Sequence, residues 1–368
     1  MQKAQVRFVN KERSLFFPTL NKRVDDYFKK QGFSKNANAE MKIKTVVILA
    51  SYFIPFSIIL ATPNQFWFNI FMWSLMGFGL AGIGMSIMHD ANHGSYSKKQ
   101  WVNDLLGYTL NFAGGSVFNW KLQHNFLHHT YTNVPKMDDD IDDKLIMRFS
   151  PSLNVKWYHK FQVVYVFLFY SILTIYWTVL KDFIQFARYT KNGVNHNKRN
   201  ANIKILLKII AVKILYFIIT IFIPYYFFGH NLKDLFIGFL VMHLLAGSVL
   251  SLIFQLAHTV EGTSHPIPDE NGIIENDWAI HQMNTTVDFS PNNKLLSWYI
   301  GGLNFQVEHH LFPRVCHVHY PELAKIVKQT AKEFNIPYLV NENFFDAVKS
   351  HLNTLRKFGM PKIDEIMA

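Results

Sequence analysis

Long apolar runs, rather than amphipathic periods, dominate the pattern along the chain. Thr45 to Ala61 is apolar with Pro55 inside it, and Phe66 to Met88 is apolar again, with only the uncharged turn Thr62-Pro-Asn-Gln65 between them. Each run approaches the ~20 residues a helix needs to cross a bilayer. The pair predicts a transmembrane hairpin that returns the chain to its starting side. Further apolar runs cover 161–180, 209–228 and 235–257, the last two joined by a short polar turn at 229–234. Residues 1–42 are polar with small amphipathic pieces such as Val24-Asp-Asp-Tyr-Phe28. From 314 onward the pattern becomes soluble again, with an amphipathic helix expected near Pro321–Phe334.

Composition supports a membrane protein. Hydrophobic residues make up 49% and charged residues 17% of the 368 positions, a more apolar balance than a soluble domain carries. The net charge of +11 is local, since eleven Lys and Arg but only four acids precede residue 45. A basic segment ahead of a first span is the positive-inside signal and suits anionic headgroups. No recognition module accompanies it, so nucleic acid is not expected as a partner. Cys316 is the single cysteine. Intrachain disulfides and cysteine-ligated iron–sulfur clusters are therefore excluded, and electrons must come from another protein.

Chemistry concentrates in three clusters outside the apolar runs: His89-Asp-Ala-Asn-His93, His124-Asn-Phe-Leu-His128-His129 and Gln306-Val-Glu-His309-His310. His89 and His93 share a helix face, as do His124 and His128, whereas His129 should point a quarter-turn or more away. Imidazole binds first-row transition metals. Seven histidines are too many for one ion with an open position, so two adjacent ions are expected. Such a site at a membrane surface points toward oxygen chemistry on a lipid. For all three clusters to share it, an even number of crossings must separate the second from the third. The run 161–180 carries Gln162, Tyr165, Tyr170, Ser171 and Tyr176 and is assigned as an interfacial or re-entrant helix.

The expected fold is an all-α integral membrane protein with four transmembrane helices in two hairpins, at about 45–61, 66–88, 209–228 and 235–257. Interfacial helices and a cytosolic helical cap carrying the metals complete it. Residues 1–42 form a basic cytosolic arm, 43–325 the membrane domain and 326–368 a cytosolic tail.

The three motifs, in this order and with Gly302-Leu-Asn-Phe-Gln-Val-Glu-His-His-Leu-Phe-Pro313 around the last, resemble the membrane fatty acid desaturases over roughly residues 45–325. The Gln-x-x-His-His form is similar to the front-end, linoleoyl-CoA-desaturase-like branch. The resemblance implies a non-haem centre of two irons that uses O2 and two electrons to remove two hydrogens from a fatty acyl lipid or acyl-CoA. It implies His89, His93, His124, His128, His129, His309 and His310 as ligands. His258, at the end of the last run, matches a further ligand position. Gln306 would act directly or through a water, and His281 is a further candidate. Asp90 and Glu308 would orient imidazole N–H groups, with Asn92 and Asn304 interleaved beside the ligands. No His-Pro-Gly-Gly haem motif occurs. A separate ferredoxin or cytochrome b5-like donor with its reductase is therefore expected, in a bacterial plasma membrane, with both termini and the site cytosolic. The branch implies Δ5- or Δ6-type insertion.

Several residues carry rival readings. His159, His196, His230, His265, His317, His319 and His351 are read as interfacial or surface residues, and the tract Asp138 to Asp143 as a solvated loop or a dock for a basic redox partner. His243, inside a span, is either functional or hydrogen-bonded within the bundle. The alternative functions are a histidine-box hydroxylase, a membrane zinc hydrolase needing about three protein ligands, and a metal transporter, which would place its ligands mid-bilayer.

Overall fold

A computed structural model describes residues 6–10, 14–141 and 146–360. Among these, five helices are long and apolar enough to cross a membrane: Ala39–Ala61, Phe66–Asn92, Trp157–Lys191, Arg199–Phe228 and Leu232–His258. The expected all-helical membrane architecture is present, and these five helices take up the five apolar runs. The helix expected to begin near 209 begins at Arg199. Its first turns are basic (Lys204, Lys208), and long lysine stems let a helix extend past its apolar window while the ammonium reaches water. Strand structure among the described residues is limited to two short parallel pairs, Arg7–Phe8 with Ile273–Ile274 and Asp288–Phe289 with Val340–Asn341.

The chain divides into two units. One comprises residues 37–122 and 167–252, most of the apolar helices. Asn38 caps the first of these by accepting from the Met41 amide, and the Thr62–Gln65 turn is closed by Asn69, whose amide donates to Thr62 O at 2.6 Å. Helices here approach through small residues, as membrane packing favours. A Cβ on Gly79 would lie 2.8 Å from Ser51 Oγ, so only glycine permits that crossing. Large apolar side chains such as Val46, Phe53, Trp67 and Phe71 are exposed, as on helices that face lipid.

The other unit gathers the described parts of 1–36, 123–166 and 253–368. The helix Phe16–Gln31 buries Phe16, Leu20, Val24 and Phe28, a stripe at four-residue spacing. That stripe joins a core with Leu323, Val327 and Ala331 of the helix Tyr320–Glu333 and with Val307 and Leu311 beside the third cluster. The expected arm and tail thus fold onto the segments that bear histidines.

Candidate metal centre

Local helix geometry sets the ligand directions. The second cluster lies on a π-helical stretch, Lys121–His128, continued by His129–Tyr131. In the wider π turn, residue i+5 comes back over residue i. That corrects the expectation for His129: its Nε2 lies 3.3 Å from His124 Nε2 instead of pointing away. The segment then turns through Asn133, whose φ of 60° is left-handed, a region asparagine tolerates. The Asn133 amide donates to the carbonyl of His258 at 3.0 Å and to those of Ser264 and Thr285. The third cluster follows two left-handed glycines, Gly301 and Gly302, at φ 64° and 65°. Its helix, Gln306–Leu311, is capped by Asp288, which accepts from the Val307 amide at 3.0 Å.

Four imidazoles in this unit are held by Nδ1. His128 donates to Asp138 at 3.1 Å, and His310 donates to Gln282 Oε1 at 2.8 Å. His258 reaches the Thr285 carbonyl and His309 the Tyr320 hydroxyl, each at 3.3 Å. With Nδ1 so engaged, each ring presents Nε2 as its remaining donor. The donor atoms of His128, His258 and His310 lie within 4.8 Å of one another, as do those of His129, His309 and His310. His128 Nε2 is buried and has no hydrogen-bond partner. A buried orphan nitrogen surrounded by others is costly in an apoprotein and fits a transition metal. His124 stacks on His309 at 5.8 Å between ring centres, and the Gln306 side chain interacts with His258.

Asp138 corrects the reading of the acidic tract. Asp138 and Asp139 are buried, not solvated, because Asp138 accepts from His128 and from the amides of Asn133 and Asp140; Asp142 and Asp143 lie outside the described residues. Burial works against the His128 imidazolium, but the charge and hydrogen bond of Asp138, with Asp140 behind it, raise its pKa overall. Burial would likewise lift Asp138, and His128 with the two amides holds it below the usual carboxylate range.

Gln282 was also missed. On the helix Trp278–Thr285, one step of about 100° separates adjacent positions, so His281 and Gln282 cannot face the same way. Trp278 and Gln282, four apart, both donate to the His129 carbonyl at 3.2 Å. His281 instead packs its ring 4.8 Å from Phe8, and burial lowers its pKa to about 4. Among the described residues it joins no group of converging donors. The spacing of Trp278 and Gln282 was the available signal.

The remaining predicted residues have other contacts. Glu308 accepts from Tyr338 at 3.1 Å, and Tyr338 also donates to Asp288. Burial first, then the charge of Asp288, keeps Glu308 well above its ordinary pKa, and burial lifts Asp288 to about 6. Asn304 donates to Ser297 at 2.8 Å and to the Ser290 carbonyl.

In the other unit, the rings of His89 and His93 lie 4.7 Å apart, and Trp120 packs against both at 5.8 and 5.7 Å. The π turn Ile83–Ile87 immediately precedes them. Asn92 donates to the Gly107 carbonyl at 3.3 Å, and the Asp90 carboxylate lies 3.9 Å from His89 Nδ1, beyond hydrogen-bond reach. His243 is satisfied inside the bundle by Tyr216 at 2.7 Å and Thr174 at 3.1 Å.

The surface reading fails for most of the other histidines. His159, His230, His317, His319 and His351 are buried, and His265 is half-buried, while His196 is exposed. Backbone partners satisfy several of them: His230 with Ile59 O, His319 with Asn36 O, and His351 with Thr259 O.

The Fatty acid desaturase family model matches residues 65–341. A protein of Arthrospira platensis named sn-1 linoleoyl-lipid 6-desaturase is 35% identical, covering 94% of this chain and 93% of its own length. One of the same name from Synechocystis is 34% identical over 96% and 98%. An acyl-lipid (8-3)-desaturase of Physcomitrium patens is 33% identical over 98% of this chain and 75% of its own. The chain belongs to the fatty acid desaturase family and is an oxidoreductase that acts on lipids.

Proposed function

We propose that this protein is a front-end acyl-lipid desaturase that inserts a cis double bond near the carboxyl end of a fatty acyl chain. The observation that carries the reading is the common orientation of His128, His258, His309 and His310, each held at Nδ1 with Nε2 left as donor. Two irons would fit the converging groups: one on His128, His258 and His310, the other on His129 and His309, with His124 Nε2 3.3 Å from His129 Nε2. His89 and His93 supply the remaining ligands that the motif implies, and Gln306 acts directly or through a water. Bound iron supplies the oxidising power needed for an unactivated C–H bond, which has no acidic proton for a side chain to remove. The protein's own work is to fix ring directions through Asp138, Gln282, Thr285 and Tyr320, and to keep water from a buried site. The reaction balances as CH2–CH2 plus O2, two electrons and two protons giving CH=CH and two waters. The electrons come from a separate ferredoxin or cytochrome b5-like donor.

The topology we favour has four spans, with the helix Trp157–Lys191 not crossing. At its start Gln162 donates to the Leu355 carbonyl of the helix Phe344–Phe358, and near its end Asp182 accepts from the Ser116 amide. Both contacts engage polar side chains at the ends of the helix, as an interfacial helix requires. An even number of crossings would then leave the histidine motifs and both termini on the cytosolic side.

Expression in a host of defined lipids, with double-bond mapping and metal analysis, tests this. The expected result is a product two hydrogens lighter and two irons per chain. A gain of one oxygen would replace desaturation by hydroxylation, and a single zinc with no lipid product would sink the reading.

A further inference from the structure

Two lysines on the helix Arg199–Phe217 have opposite circumstances. Lys213 is saturated: its donors are shared among four acceptors, Asp182 at 2.9 Å and the carbonyls of Gly114, Trp177 and Thr178 at 2.8–3.0 Å. Lys208, at the mouth of a cavity of about 250 Å³, donates to the Tyr108 hydroxyl at 2.6 Å and lies 4.1 Å from the centre of the same ring. Among the described residues no carboxylate pairs with it. An ammonium has three donors, and the Tyr108 hydroxyl takes one of them, so the exposed ammonium has donors to offer a ligand. The nearest acid lining the cavity, Asp182, is already neutralised by Lys213 and also accepts from the Ser116 amide and Trp177 Nε1. The cavity therefore has a positive, hydrogen-bonding mouth. Its wall is apolar, formed by Val117, Ile205 and Ile209.

This cavity sits close to the first histidine cluster within the same unit. Val117 packs against a core of Met88, Leu110, Trp120 and Trp177, and Trp120 is the ring that touches His89 and His93. One indole layer thus separates the wall from two candidate ligands. In a front-end reaction the oxidised carbons lie only a few methylenes from the ester, so the polar head must bind near the metals.

We propose that this cavity holds the phosphate-bearing head of the substrate lipid, an assignment that rests on the front-end reading above. Lys208 and Tyr108 bind a phosphate oxygen, and Val117, Ile205 and Ile209 contact the first methylenes. The site fixes which carbons reach the metals by measuring from the head.

The test uses the full-length, iron-loaded protein in phosphatidylcholine vesicles, with three linoleoyl substrates: phosphatidylglycerol, an uncharged galactolipid and acyl-CoA. A phosphatidylglycerol carrying a photoreactive group near its head provides a binding readout independent of turnover. Lys208→Gln should raise KM for phosphatidylglycerol about tenfold, the loss expected for one charge-assisted hydrogen bond, with kcat little changed. It should reduce photolabelling of residues 108–118 in parallel and leave KM for the galactolipid unchanged. Lys208→Arg should restore both. The proposal is overturned if Lys208→Gln alters neither KM nor labelling, or if the galactolipid suffers equally, which would make the lysine structural. A loss confined to acyl-CoA would assign the phosphate to the coenzyme and overturn the lipid head. Absence of product from every substrate, with labelling still dependent on Lys208, would instead defeat the desaturase reading and keep the lipid site.

Discussion

Among the described residues, Lys213–Asp182 in the apolar unit and His128–Asp138 in the histidine-bearing unit are both buried pairs, and they do different things. In the apolar unit, Lys213 shares its three donors among Asp182 and three carbonyls; Asp182 in turn accepts from Ser116, Asn119 and Trp177. Nothing is left over, and the pair pins a membrane helix to the Gly114–Asn119 segment. In the histidine-bearing unit, Asp138 takes only one nitrogen of His128 and leaves the other buried and unmatched. The comparison teaches that burial and charge do not distinguish a structural pair from a functional one. The unused atom does.

The largest expected effect comes from removing that atom. His128→Ala should abolish both iron binding and lipid product, as read by metal analysis and mass spectrometry; retention of both irons would end the contrast. Next, Lys213→Met leaves Asp182 buried and unpaired, which should cost about 3–5 kcal/mol in denaturant unfolding. The double change Lys213→Met with Asp182→Leu should recover most of that, and iron content per folded molecule should hold in both. An equal loss of iron from the folded Lys213 variant would erase the distinction between the pairs.

Smaller effects sharpen the comparison. Asp138→Asn and Gln282→Leu, which disturb ring orientation without removing a ligand, should each weaken iron binding about 10- to 100-fold, measured by chelator competition. Unchanged affinity would show that the rings hold their direction unaided. The mildest test is pH. Burial lowers the pKa of His351 to about 4, while its Nδ1 donates to Thr259 O. A depressed histidine stabilises fully above the unfolded value near 6.5, and that stability is lost as pH falls toward 4. His351→Gln should therefore flatten the decline in Tm over this window, by up to about 3 kcal/mol in stability. A decline as steep as that of the unaltered protein would rule His351 out as a contributor.

Much of the site was legible because metal chemistry requires particular side chains. Imidazoles in three short motifs, with His258 closing the last apolar run, stand out in any order of folding. The residues that aim them did not stand out. Asp138 sits in a run of aspartates that reads as solvated, and only the Asn133 turn and the surrounding burial bring it to His128. Gln282 lies beside a histidine that drew attention instead, and the helix that carries both decides which of them faces the second cluster.

The sequence by itself determined an all-helical membrane protein, the places of its apolar runs and the candidate metal donors, because these depend on composition and local spacing. Tertiary structure alone decided which histidines converge, that the π turn folds His129 back onto His124, and that five scattered histidines serve the core rather than the surface. Those outcomes depend on contacts between segments far apart in the chain. A buried imidazole needs a partner, and only the folded chain shows which rings a carbonyl satisfies and which converge on other imidazoles.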